Sequence, residues 1–336
     1  MGEATETGSL EVDLATTVTA AAYDEAVART RDIDLFCSSS HWIAPAHAAF
    51  HASCATRIRA LDHGFLALAA GRSEGLGRYL APLEAMWGLA CPVIGEDARK
   101  VGTEAARYLL SERHTWDVLW LGGIARQSEL FSTLVRELKR DVTLRVGPTT
   151  VRYRASLEGG FDGWLGRRSA LFRKRIRQAL RSVEFAGIRF EWLGPTLPRD
   201  ADGAALFERI HAVETRSWKG QEGTGFVTGD MRAFYAAMVP RLVAAGALRV
   251  LFAKRGDEDV AVCFGGVFEG TYRGLQNSFD DRFRDLSLGN VMQGETIRRL
   301  GHEGIALYDL GSEMDYKQRF AEEAFETMTL LGVRGR

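Results

Sequence analysis

Apolar residues recur at helical spacing through residues 97–113 and 127–140, whereas in residues 58–70 and 116–121 they form the compact runs of strands. That alternation predicts an α/β or α+β domain. Residues 142–157 read as a further strand, and the Gly159-Gly160 pair punctuates the chain before a helical segment over 164–183. In that segment Leu165, Phe172, Ile176, Leu180 and Val183 share one face. A strand at 188–193 and helices at 204–218 and 230–245 follow, and then the texture turns to β. Residues 248–254, 260–268 and 271–279 are three consecutive strands, with Glu269-Gly270 as a tight hairpin turn. A helix at 288–301 and a strand at 305–310 close the pattern. The expected organisation is a flexible leader over 1–31, which is poor in aromatic residues, then one module over 32–150 and a second over 151–336.

Composition narrows the class of protein. The chain has 336 residues, 46% of them hydrophobic and 26% charged, enough for one large core or two smaller ones. Its 43 Lys and Arg against 44 Asp and Glu leave a net charge of −1, so attraction to a polyanion has to come from a local patch. Four scattered cysteines, Cys37, Cys54, Cys91 and Cys263, without a CxxC pair predict buried thiols in a reducing compartment. The start of the chain lacks the basic and apolar regions of a signal peptide, and the longest nearby apolar run, 65–70, is too short to span a bilayer. The expected location is the cytoplasm, without membrane insertion.

Several common chemistries find no support. His47 and His51 are four apart and His41 is near, but "HAAFH" has no glutamate and no third ligand at metal spacing, so no metal is expected. Gly71, Gly75 and Gly77 are followed by Leu80 where a dinucleotide fingerprint needs glycine. More informative is the run "SLGN". A helix starting at Ser287 or Leu288 exposes unpaired N–H groups and the positive end of its dipole, and Gly289 lets a ligand approach the backbone. Ser287, Leu288, Gly289 and Asn290, with Arg282 and Arg284 upstream, are therefore candidates for holding a pyrophosphate. The alternative is a helix capped by Ser287. In "ETRSWKG", His211, Glu214 and Trp218 fall on one helical face, where Glu214 can take a proton from an acceptor ammonium and Trp218 can wall a pocket beside Lys219. The competing reading is a helix end with Trp218 in the core and Lys219-Gly220 as its exit.

The order helix, helix, three antiparallel strands, helix, strand, with the runs "ETRSWKG", "SLGN" and "YDLGSEMDYK", resembles the GNAT acyltransferase superfamily. The nearer likeness is to its CelD-like branch, related in architecture to the FemABX peptidyl transferases. The resemblance implies tandem GNAT-like modules, the first degenerate, each a mixed, mostly antiparallel sheet flanked by helices. It also implies an acyl-CoA donor, acetyl-CoA in the simplest case, and direct attack by the amine of a small molecule. Asp309, Tyr316 and Lys317 match motif positions that line the transfer site. Backbone donors of a distorted strand would polarise the thioester, Glu214 or Asp309 would help deprotonate the amine, and Tyr316 would protonate the departing thiolate.

One feature keeps two rivals open. Residues 167–181 hold seven cations, Arg167, Arg168, Arg173, Lys174, Arg175, Arg177 and Arg181, and no acid. Such a run wants an anionic partner, or it is a solvated face neutralised by acids elsewhere. If the partner is tRNA, the enzyme is Fem-like and uses an aminoacyl-tRNA donor. If it is a protein, the chain is a non-catalytic GNAT-like scaffold in polysaccharide or envelope assembly.

Overall fold

The computed structural model describes residues 10–11, 13, 17–312, 314 and 317–334. The chain divides into two compact units, one of residues 1–150 with 326–336 and the other of residues 151–325. In chain order the first part runs β1 (Leu10–Glu11), α1 (Thr17–Arg29), α2 (Leu35–Ser38), α3 (Ser40–Phe50), β2 (Ala55–Leu61), β3 (Gly64–Ser73), β4 (Gly77–Pro82), β5 (Val93–Ile94), α4 (Ala98–Ser111), β6 (Val118–Ile124), α5 (Glu129–Leu138) and β7 (Val142–Ser156). It continues with α6 (Gly160–Gly166), α7 (Ala170–Phe185), β8 (Ile188–Leu193), α8 (Gly203–Arg216), α9 (Trp218–Gln221), α10 (Gly229–Ala244), β9 (Leu248–Arg255), β10 (Glu258–Phe268), β11 (Thr271–Phe279), α11 (Leu288–His302), β12 (Leu307–Ser312) and β13 (Glu323–Arg334). The fold is α+β, as the element pattern predicts.

In the first unit the sheet order is β1-β2-β3-β4-β6-β13. The apolar run read as one strand over 58–70 is a hairpin: Leu61 pairs with Gly64 across the turn residues Asp62 and His63, a polar break that the surrounding apolar residues mask. β4 and β6 are parallel, so the chain crosses between them through α4, which buries Val101, Ala105, Ala106 and Leu109. The expected leader is structured over much of its length, because Tyr23 and Val27 of α1 are fully buried at one-turn spacing. Tyr23, Ala26 and Val27 supply that helix's buried face, so low aromatic content is a poor sign of disorder here. The end of the chain also departs from expectation. β13 pairs with β6 through Met328 to Val333, so residues 326–334 complete the first unit's sheet.

The second unit has the order β7-β12-β11-β10-β9-β8. Neighbours are antiparallel except β11 and β12. The turn between β10 and β11 has Glu269 and Gly270 both at positive φ, the geometry a two-residue hairpin requires. The parallel pair needs a crossover, which α11 supplies while burying Leu288, Val291, Met292, Ile297 and Leu300. Gly301 lets α11 approach α6, since a Cβ there would lie 3.0 Å from the Gly160 Cα. The helix expected over 164–183 is two helices, α6 and α7, because Ser169 takes an extended conformation and its hydroxyl accepts from the Phe172 N–H at 3.3 Å. Behind the sheet, Trp164, Ile176, Tyr272, Ile297, Tyr308 and Phe320 form a common core.

Candidate active site

The two parallel strands part company halfway along. β11 and β12 pair only from Thr271 to Arg273 against Leu307 to Asp309. Past that point β12 follows β7, with Gly311 opposite Tyr153 and Ser312 opposite Arg152. β11 follows β10, with Gln276 opposite Phe264 and Asn277 opposite Cys263. The register of β11 also slips between Gln276 and Gly274, which leaves Leu275 as an extra residue, and such a bulge turns backbone groups out of the ladder. Gly265 permits it: a Cβ there would lie 2.1 Å from the Arg273 carbonyl oxygen. The opening between the diverging strands is bordered by the N-terminus of α11, which Asn277 ties to β11 by donating to the Gly289 carbonyl at 2.8 Å.

Ser287 stands in the left-handed region at φ +52 and its side chain makes no capping hydrogen bond, so the alternative reading of a helix capped by the Ser287 side chain is corrected. Ser287 and Asn290 instead line a cleft of about 830 Å³ whose other walls include Arg167, Arg168, Leu171, Arg175, Gln178, Ser182, Gln318 and Arg319. The basic segment and the helix start, distant in sequence, face one space. Arg167 and Arg168 bond Glu322 there. Burial, with Arg167 close by, lowers the Arg168 pKa to about 10. Arg175 and Arg319 have no acidic partner among the described residues. Leu288 is buried in the core rather than in the cleft. A Cβ at Gly289 would lie 3.4 Å from the Phe279 ring. Arg282 and Arg284 are turned to other work: Arg282 bonds Asp280 and Glu258, and Arg284 bonds Asp281, so neither lines the cleft.

A larger cleft, about 1230 Å³, lies in the first unit beside the N-terminus of α4. Its helix end is already filled by a carboxylate. Asp97 accepts from the Lys100 N–H at 3.0 Å, and Glu96 adjoins it. Two acids at the helix start oppose an anionic ligand at that point, although Arg29, Arg31, Arg99 and Lys100 also line this cleft.

Asp309, the last position of β12 paired with β11, is buried among Arg273 at 2.7 Å, Arg152 at 3.1 Å and Arg154 at 3.6 Å, and it accepts from the Gly311 N–H at 2.8 Å. Burial alone would raise its pKa, but the three guanidiniums and the N–H outweigh it and hold the carboxyl well below the usual range. Such a group is a poor proton acceptor. Lys317 donates to the Ser312 carbonyl at 2.8 Å, and burial, aided by Arg273 and opposed by Asp309, lowers its pKa to about 8. Tyr316 lies outside the described residues.

On the β11 side, Lys219 donates to Gln276 Oε1 at 2.9 Å and lies 3.6 Å from Glu214. Burial lowers its pKa, with Glu214 opposing. Glu214 is wholly buried and accepts from the Phe226 N–H and the Ser217 hydroxyl, both at 3.3 Å. It therefore fastens the loop after α8. The spacing argument placed His211, Glu214 and Trp218 on one face, but α8 ends at Arg216 and Ser217 turns extended, capping α9. His211 packs against Phe207 and Phe226 and contacts the Val227 carbonyl at 2.9 Å, while Trp218 is 45% exposed. Sequence spacing missed Arg152, Arg154 and Arg273, because charged residues alternating with apolar ones on a strand look solvated until a neighbouring strand covers them.

Residues 170–318 match the family model described as acetyltransferase (GNAT) domain. No curated protein sequence matches the chain. Among solved structures, FemX is similar at TM-score 0.64 and 11% identity over 96% of each chain. A conserved protein of unknown function from Bacteroides thetaiotaomicron VPI-5482 is similar at TM-score 0.63 and 12% identity, over 98% of this chain and 100% of that one. The C-terminal domain of a putative lysylphosphatidylglycerol synthetase from Agrobacterium fabrum is similar at TM-score 0.57 and 11% identity over 91% of each. At such identities these likenesses establish the fold.

Proposed function

We propose, for a chain whose residues 170–318 match the acetyltransferase (GNAT) domain model, that the second unit is an N-acyltransferase moving an acyl group, acetyl in the simplest case, from acyl-CoA to the amine of a small molecule. The cleft that joins the N-terminus of α11 to Arg175 and Arg319 carries this reading, because it offers a pyrophosphate backbone donors, a helix dipole and two cations without an acidic partner among the described residues. The thioester then enters the opening between β11 and β12, where the bulge at Leu275 supplies backbone donors for the developing oxyanion. The amine attacks the carbonyl carbon, the C–N bond forms, and the C–S bond breaks. Lys317, partly neutral near pH 8, takes the ammonium proton. Asp309 stays ionised and positions the lysine, and Glu214 acts through Lys219 as a positioning residue. Tyr316 is assigned the proton for the leaving thiolate. No residue in this scheme requires a metal, and the cytoplasm is the compartment that supplies acyl-CoA.

A second reading, an aminoacyl-tRNA donor, is favoured by the density of cations on α7. The two are separated by incubating the protein with acyl-CoA and a panel of amines while following free thiol. Thiol release dependent on amine supports the acyl-CoA reading. Transfer only from charged tRNA replaces it, and silence with both donors leaves a scaffold.

A further inference from the structure

Helix α7 has two exposed flanks, and only one of them faces the cleft. Leu171, Arg175, Gln178 and Ser182 line it. Lys174, Arg177, Arg181 and Phe185 do not, and they follow one another at intervals of three and four residues, a single outward stripe roughly 16 Å long. The buried face, Ile176 and Val183, fixes the helix to the second unit, so the stripe has a fixed direction. Unlike Arg167 and Arg168, none of its three cations has an acidic partner among the described residues. Glu184, at the edge of the stripe, is the only acid in the helix. Phe185 is 97% exposed, against 57% for Met86 and Leu171, the next most exposed large apolar residues among those described.

Unpaired cations select an anionic partner, and a fully exposed phenylalanine in line with them selects one that is apolar beneath its charge. We propose that this stripe docks the protein on the surface of an anionic phospholipid bilayer, with Lys174, Arg177 and Arg181 against lipid phosphates and Phe185 in the acyl boundary. Docking here is peripheral, since no helix among the described residues is long and apolar enough to cross a membrane. A nucleic acid would satisfy the cations through its phosphates alone, and binding would not depend on Phe185 in the absence of a further stacking platform beside it.

The test is co-sedimentation of the full chain with vesicles of phosphatidylcholine alone or mixed with phosphatidylglycerol. The protein should pellet only with the anionic vesicles and be released by high salt. Changing Lys174→Gln, Arg177→Gln and Arg181→Gln together should weaken binding on the order of a hundredfold. Phe185→Ser should weaken it while leaving the salt dependence in place. Coenzyme A affinity and thermal unfolding should be unchanged in both variants, because these side chains neither line the cleft nor enter the core. Equal binding to neutral vesicles, no binding to anionic ones, or variants that pellet like the parent would overturn the proposal. So would a parent that binds tRNA through these cations, indifferent to Phe185→Ser, and ignores vesicles.

Discussion

Lys317 and Glu214 show how burial separates two charged residues that look alike in sequence. A lysine lowered to about 8 is protonated less readily in the folded protein than in the unfolded chain, where its ordinary value is 10.5. Below pH 8 both states hold the proton and the full penalty is present; as pH rises from 8 toward 10.5 only the unfolded state holds it, so stability rises across that window. Lys317→Met should therefore flatten the rise of stability with pH in urea titrations. It should also remove an inflection near pH 8 from the pH profile of acyl transfer, with donor KM unchanged; a variant profile that overlays the parent's would take the proton-accepting role from Lys317. Asp309 runs the other way: its contribution is present above the usual carboxylate range and is lost as pH falls below it. For Glu214 the expectation is structural. Glu214→Ala strips the Phe226 N–H of its acceptor and Lys219 of its counter-charge, and should cost about 3–5 kcal/mol in chemical unfolding. The glutamate itself was found by its helical spacing, but its burial came from a loop folding back over it.

The start of α11 was legible as an element from "SLGN", since a glycine at a helix N-terminus after a β-hairpin is a local pattern. Its partner wall was not. Nothing within residues 167–181 says that Arg175 faces Ser287 while Lys174 faces away, because that depends on which face of α7 packs on the core. Two substitutions test the assembled cleft. Gly289→Asp places a carboxylate at the helix dipole's positive end, and Arg175→Glu reverses a wall charge; each should weaken coenzyme A binding on the order of tenfold by calorimetry. Asp97→Asn, at the helix start in the first unit, should leave it unchanged. Unaltered affinity in both cleft variants would move the donor elsewhere. The same wall explains why Arg282 and Arg284, the nearest cations in sequence, are not the nearest in space: Asp280, Asp281 and Glu258 already hold them.

At the scale of the molecule, the last strand belongs with the first unit. Removing residues 326–336 uncovers the β6 edge and takes away the buried Met328 and Leu330. Hydrogen exchange should then show lost amide protection over Val118–Ile124 with protection of β9 to β11 retained; protection unchanged in β6 would show that the first unit closes without its last strand. Local pattern, by itself, determined a mixed α/β or α+β class, the three-strand hairpin run from Leu248 and the crossover helix, because periodicity and turn chemistry act over a few residues. Tertiary structure alone decided that Asp309 is locked among Arg152, Arg154 and Arg273, that Lys317 is pushed toward neutrality, and which cations of α7 meet a cleft and which meet solvent. Those properties arise from desolvation and from Coulomb energies between residues as much as 157 positions apart, and both depend on distances that no stretch of sequence contains.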